Sequence, residues 1–409
     1  MVACVKSKTS LLPSPDERQR ALTQIRNLKM ARSAHAYVRG NTAKFYEWLD
    51  SRVPGSLPEG PPLWICGDCH TGNLGPVANT SGQVEIQIRD LDQSVIGNPA
   101  HDLIRLGLSF ASAARSSDLP GVATAKMLEQ IIEGYESAFD DNSKSEEDSA
   151  TRPESVRLVL RRAVRRSWRH LAKECIGDAS PDIPLGKQFW PISEKEQTAL
   201  KILFASKAMQ RLATLLRSRE SDAPVDLLDA AYWVKGCSSL GRLRYAVLLG
   251  VGESNPKNAD FCLMDVKEAV AAAAPHYQNV SMPQDNADRV VEGARHLAPF
   301  LGDRMQAERF LNKSVVVREL LPQDLKIELA TLTHDEALKT ARFLAKIVGC
   351  AHARQMDQAG HKSWQADLLK NRSKSLDAPS WLWRSTVDLL VSHEGAYLEH
   401  CRKYALDSL

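Results

Sequence analysis

The spacing of apolar and polar positions changes period several times along the chain. Residues 14–50 carry apolar positions at helical spacing, and "SPDERQRALTQIRNLKMARS" offers Ser14 as a cap with Pro15 at the first helical position. "PPLWIC" reads as a short buried strand running into a glycine-bearing loop. In "GQVEIQIRDLD", Val84, Ile86 and Ile88 alternate with Glu85, Gln87 and Arg89, the period of a half-buried strand. "PAHDLIRLGLSFASAAR" then begins a helix with Asp102 in its first turn.

Helical spacing dominates from 120 to 220, broken by the acidic, serine-rich "DDNSKSEEDSATRPES", an expected exposed loop. In "RLVLRRAVRRSWRHLAKE", Arg157, Arg161, Arg165 and Arg169 recur at i, i+4. They form either a solvated helix face beside acidic neighbours or a surface for an acidic partner or nucleic acid. The character changes near 231. "AYWVKGCSSLGRLRYAVLLGVG" and "ADFCLMDVKEAV" read as strands around a Gly/Ser turn, "DNADRVVEGARHLAPFLG" as a helix and "KSVVVRELLP" as a strand. The remainder returns to helix, with "THDEALKTARFLAKIVGCAHARQ" the strongest periodic segment. The expected organisation is a helical part over 1–230, a strand-rich part over 231–325 and a helical return over 326–409. No internal repeat or low-complexity tract is present.

Composition narrows the class. With 409 residues, 43% hydrophobic and 25% charged, the chain can bury two or more cores. A net charge of +3 is too small for this length to call for a polyanion, so nucleic acid is not an expected partner. No run approaches the ~20 apolar residues of a membrane helix. The start, "MVACVKSKTSLLPSPDERQR", lacks the apolar core of a secretory signal. The expected setting is the cytoplasm, where thiols stay reduced.

Candidate chemistry concentrates in "WICGDCHTGN", residues 64–73, which supports three readings. Cys66, Cys69 and His70 have the spacing of covalent haem attachment, which takes place after export. Cys66 and Cys69 alone are a redox or zinc half-site, but the other six cysteines are scattered singly. Gly67-Asp68 inside the pair and Gly72-Asn73 after it favour a loop over the helix start of a thioredoxin-like motif. The third reading is phosphoryl transfer. That chemistry needs a carboxylate to orient a hydroxyl, with an amide oxygen and another carboxylate to hold magnesium against nucleotide phosphates. Asp68 and Asn73 sit on the tight loop, Asp90 at the end of the following strand, and Asp92 two residues on. Hard oxygen donors of this kind suit magnesium better than zinc.

The series G-D-x-H-x-x-N, then D-x-D, then G-x-P-x-x-D-L resembles the catalytic segment of the aminoglycoside and choline kinase type. That resemblance implies Asp68 as base, with His70 in the same motif. It implies Asn73 and Asp90, with Asp92 beside them, as metal ligands, and Asp102 as a buried brace for the loop. Cys66 stands where those kinases often have His. The strand-rich part resembles the matching nucleotide lobe. Gly236, Ser238, Ser239 and Gly241 form a small-residue turn whose amides could approach phosphates. Lys267, mid-strand, has the setting of the lysine that meets α- and β-phosphates, with Glu292 on the next helix as its expected ion-pair partner. The catalytic loop precedes that lobe, so the order implied is a circular permutation.

Over most of its length the chain also resembles a bacterial family listed as domain of unknown function 2252. The matching segments, in family order, are "KMARSAHAYVRGNTAKFY", "GDCHTGNLG", "RDLDQSVIGNPAHDLIRL", "GCSSLGRLRYAVLL", "MDVKEA", "RVVEGARHL", "VVVREL" and "AHARQ". Leu74, Gln93 and the thinned glycine turn depart from the family pattern. The resemblance adds Arg32, Tyr37 and Arg39 as a surface beside the site, where arginines stabilise transferring charge, bind an anionic substrate or brace the acidic loop. The expectation is an α+β, two-lobed, circularly permuted protein-kinase-like fold. It would use ATP and Mg2+ to phosphorylate a small-molecule or protein hydroxyl. A non-catalytic nucleotide-binding protein, a nucleotidyl transferase and a C-x-x-C redox or metal protein are the alternatives. Neither the acceptor nor the oligomeric state is written in the sequence.

Overall fold

A computed structural model describes residues 12–116, 119, 121–140, 152–168, 171, 182–252, 260–325, 327, 333–369 and 379–404. The architecture is mixed α+β. Two short antiparallel pairs lie in its first third, β1 (Leu63–Ile65) with β4 (Val95–Gly97) and β2 (Leu74–Ala78) with β3 (Val84–Ile88). A six-stranded antiparallel sheet follows, built from β5 (Phe189–Trp190), β6 (Val225–Trp233), β7 (Arg244–Val251), β8 (Asp260–Glu268), β9 (Met305–Phe310) and β10 (Lys313–Glu319). Its order is β5-β6-β7-β8-β10-β9, which places β8 in the interior.

The sheet starts earlier than the sequence pattern suggests, at Phe189 rather than near 231. β5 is two residues long, and β6 alternates exposed and half-buried positions around Asp226 and Asp229, with a register shift between Leu227 and Asp229. Neither carries a continuous apolar signal. The first helix likewise begins at Arg18, because Ser14 spends its hydroxyl on the Glu17 carboxylate instead of capping a turn.

One face of the sheet carries a continuous apolar core. Tyr245, Val247, Met264, Val266, Val315 and Val317 pack there against helices Glu194–Phe204 and Lys207–Ala213. The opposite face is graded. Ala246, Leu248 and Leu263 occupy one end, while Arg244, Asp265, Lys267 and Arg318 share the other, since paired and alternate residues point the same way. That charged end faces the helical part of the molecule. There, Pro99–Ser116, Gly121–Glu136 and His334–Ala353 form the largest core with the two short sheets. Helix Asn286–Leu297 packs on both β10 and β1 and so joins the two parts.

The Arg-rich segment forms helix Glu154–Arg165, with Arg157 paired to Glu154 and Arg161 and Arg165 exposed; Arg169 and most of the acidic stretch before the helix lie outside the described residues. Among the described residues no helix is long and apolar enough to cross a membrane.

Candidate active site

The loop after β1 is held from beneath by one carboxylate. Asp102, wholly buried in the first turn of Pro99–Ser116, accepts from the backbone N–H of Cys66 at 2.7 Å and of Gly67 at 2.9 Å. His352, also fully buried, brings Nε2 within 3.2 Å of Asp102 Oδ2, and its Nδ1 lies 2.9 Å from the Tyr135 hydroxyl. Trp364 donates to that hydroxyl at 3.0 Å, and Tyr46 donates its own hydroxyl to the Gly67 carbonyl. Buried backbone groups are costly when unpaired, so this network fixes the loop's path. Gly67 has φ +71, and a Cβ there would sit 2.1 Å from the Gln93 carbonyl oxygen. Only glycine fits.

From this braced backbone, Asp68 projects into the site. Its Oδ1 accepts from Arg105 Nε at 2.9 Å, and Arg105, one turn after Asp102, also donates to the Val38 carbonyl. Burial pushes the Asp68 carboxyl up from its ordinary value, with Arg105 pulling against it. Asn73 donates its Nδ2 to the Asp68 backbone carbonyl at 3.0 Å, which leaves its amide oxygen outside that bond. His70 accepts from the Gly72 N–H at Nδ1, so a neutral ring carries its proton on Nε2, 3.9 Å from Asp68 Oδ2. Burial, helped by Arg39 and Arg105, drives the imidazole well below its ordinary range and keeps it uncharged. Arg39 lies against the same loop, since a Cβ on Gly72 would come 2.5 Å from its Nη2.

The sheet answers with a lysine. Lys267 Nζ sits 2.6 Å from Asp92 Oδ2 and 3.2 Å from Asp90 Oδ1. Burial opposes the charge on Asp90, but Lys267, Arg244 and Arg318 outweigh it and hold the carboxyl well below the usual range. Asp92 moves the other way, raised by burial and by the neighbouring Asp90. Behind Lys267, Arg244 grips Asp265 through two bonds of 2.9 and 2.5 Å. The strap carrying the two carboxylates is clamped by Arg289, which donates to the Ser94, Asp92 and Val270 carbonyls.

Asp68, Asn73, Asp90, Asp92 and Ser238 thus line one cleft of about 380 Å³, and Lys267 reaches it only through its pairs with Asp90 and Asp92. Gly236 and Gly241 adopt φ +93 and +100 in the turn that brings Ser238 to that cleft; Ser239 is buried and does not line it. Glu292 is not brought in. It pairs with Arg295 at 3.1 Å and His296 at 3.3 Å, so the expected Lys267–Glu292 pair does not form. The phase of the helix explains this: Arg289 and Gly293 face the strap, where a Cβ on Gly293 would meet Ser94 Oγ at 2.3 Å, and Glu292 is rotated outward.

Arg105, Arg289, His352 and the Arg244–Asp265 pair escaped the sequence reading. Arg105 was findable, because i, i+3 from Asp102 puts both on one face of the helix. Arg289 and His352 carry no such local signal.

The donor set suits one kind of metal. Among the described residues no three His, Cys, Asp or Glu side chains converge as a metal cage. Asp90, Asp92 and the Asn73 amide do line the same cleft, and magnesium is commonly bound by one or two carboxylates completed by phosphate and water. The cysteines present the opposite picture. Cys66 and Cys69 are free and buried, and their mutual hydrogen bond with burial pushes the Cys66 thiol well above its ordinary value. Reactive or metal-binding cysteines need the reverse shift.

Residues 18–403 match the model of a family described as an uncharacterized protein conserved in bacteria (DUF2252). No curated protein and no solved structure matches the chain.

Proposed function

We propose, from the premise that this chain belongs to that bacterial DUF2252 family, that it is a magnesium- and ATP-dependent phosphotransferase acting on a hydroxyl. The observation that carries this reading is the convergence of Asp68, Asn73, Asp90 and Asp92 on one cleft, with Lys267 of the distant sheet paired to the last two. The layout supports a permuted kinase-like arrangement, with a helical part bearing the acidic loop and a sheet bearing the lysine and the glycine turn.

In this reading Asn73, Asp90 and Asp92 would hold magnesium, which would supply charge neutralisation for the phosphates of the ATP that donates the phosphoryl group. Asp68 orients the acceptor hydroxyl and takes its proton at Oδ2, while Arg105 fixes Oδ1 and with it the carboxylate plane. His70, uncharged, closes the loop around that carboxylate without competing for the proton. Lys267 meets the nucleotide phosphates and meanwhile holds the two acids against the sheet. The glycine turn with Ser238 offers backbone amides above the phosphates. Glu292 has no role.

The test is calorimetric titration of ATP with magnesium into the wild type, Asp90→Asn and Lys267→Ala. Binding that weakens in both variants supports the reading. A wild type that binds no nucleotide with magnesium or manganese rules it out. Analysis of the products then separates phosphoryl from nucleotidyl transfer.

A further inference from the structure

The cleft wall beside Asp68 differs from the acidic floor. Arg26 and Asn27 of the first helix, Asn41 and Thr42, and His400 and Tyr404 of the last helix line it. Asp68, Asp90 and Asp92 are the carboxylates on the cleft, and all three are already engaged, Asp68 by Arg105 while Asp90 and Asp92 share Lys267. Arg26 and Arg242 line the cleft as well, and Arg39 lies behind it against the Asp68 loop; among the described residues none of the three forms a close ion pair, although Arg39 feels the charge of Asp68 and Arg242 that of Asp92. Arg39 is the most exacting case. It is half-buried, its Nε has no hydrogen-bond partner, and Gly72 leaves room for it against the loop that carries Asp68.

Buried donors of a charged group are expensive to leave unmatched, and a planar guanidinium is best satisfied by the oxygens of a phosphate or carboxylate. Arg242 adjoins Ser238 in the glycine turn, above the place given to the nucleotide phosphates. Arg26 and Arg39 come instead from the helices that flank Thr42 and Asp68, on the acceptor side. A cationic acceptor, such as an amino sugar or a quaternary amine, would meet surplus positive charge there and no spare carboxylate.

Resting on the phosphotransferase reading, we infer that the acceptor is itself an anion, a hydroxyl compound bearing a phosphate or carboxylate that Arg26 and Arg39 draw in and orient. Arg26 and Arg39 are then specificity-determining residues of the acceptor site.

The experiment uses the full chain and four probes of similar size: glucose 6-phosphate, gluconate, glucose and glucosamine. Affinities are read by ligand-observed NMR with magnesium, with and without a non-hydrolysable ATP analogue. Anionic probes should bind about tenfold or more tighter than glucose, with glucosamine weakest, and Arg26→Glu should erase that preference while moving glucose little. Arg39→Gln should weaken the anions in the same direction. Glucose 6-phosphate against gluconate tells phosphate from carboxylate.

Equal or tighter binding of glucose or glucosamine overturns the inference, as does failure of both anions to bind. So does an Arg26→Glu variant that loses the ATP analogue as much as the anions, which would give these arginines to the nucleotide. Failure of the analogue alone to bind, with anion preference intact, counts against the phosphotransferase reading and leaves the anion site standing.

Discussion

Replacing Asp102 tests the idea that the reactive loop is positioned from beneath. Its side chain is fully buried and accepts two backbone N–H groups while facing His352 Nε2. Asp102→Ala leaves both N–H groups without an acceptor, and each buried orphan costs about 1–3 kcal/mol, so the loss is about 2–6 kcal/mol. Asp102→Asn keeps one acceptor oxygen and turns an NH2 toward the other donor, for a loss of about 1–3 kcal/mol. Against a total stability on the order of 5–15 kcal/mol, the alanine variant is severely weakened and the asparagine variant still folds. Urea unfolding of both gives the two free energies. Hydrogen exchange at the Cys66 and Gly67 amides then shows whether the loop opens ahead of global unfolding in Asp102→Asn. Both variants falling within about 0.5 kcal/mol of wild type, the range of an ordinary surface change, with those amides still protected, would refute the brace.

Three further outcomes follow from the same geometry. Gly67→Ala forces a Cβ against the Gln93 carbonyl at φ +71, so its urea midpoint should fall by more than that of Gly82→Ala, which has φ +85 but open space around it. Glu196 is opposed by burial but held at about 2 by Arg18 and Tyr245, below its ordinary 4.5. The stability it contributes is therefore complete above pH 4.5 and drains as pH falls toward 2, and Glu196→Gln should flatten that acid limb in stability-versus-pH measurements. Cys66 and Cys69 should resist a thiol reagent at neutral pH until the chain unfolds, while the half-exposed Cys401 reacts ahead of them; rapid labelling of the pair in the native protein would revive the redox reading.

What the sequence made legible was local. Asp68, Asn73 and Asp90 lie within one stretch of loop and strand, so their juxtaposition could be read from spacing, while the place of Asp102 was implied only by the resemblance. Asp102 bonds the loop backbone as the motif implied. Lys267 was picked out by its strand and its neighbours, but its partners were not. A side chain in mid-strand can reach any carboxylate brought to that face, and the fold brings Asp90 and Asp92 where Glu292 was expected. That choice depends on the rotation of helix Asn286–Leu297 by one residue, which its apolar periodicity does not settle. Arg289 and His352 act across long sequence separations on backbone carbonyls and on a buried acid, contacts with no sequence signature. The edge strand β5 was too short, and the acidic first part of β6 too mixed, to announce themselves.

The strap from Arg89 to Ser94 is fastened to the sheet side by many hands at once. Lys267 holds Asp90 and Asp92, Arg289 the Asp92 and Ser94 carbonyls, Arg318 the Arg89 carbonyl, and Gln93 accepts from the Ala273 N–H. Swinging the two parts of the molecule apart would break most of these together, at about 0.5–1.5 kcal/mol for each hydrogen bond. Several such losses in concert put wide opening among rare, slow events rather than nanosecond breathing. At the other side of the cleft, Asn27 and Tyr404, on the first and last helices, border both the cleft and a second surface groove, a path that needs no parting of the two halves. The floor of the site is a fixed plate, and its doorway is at the rim.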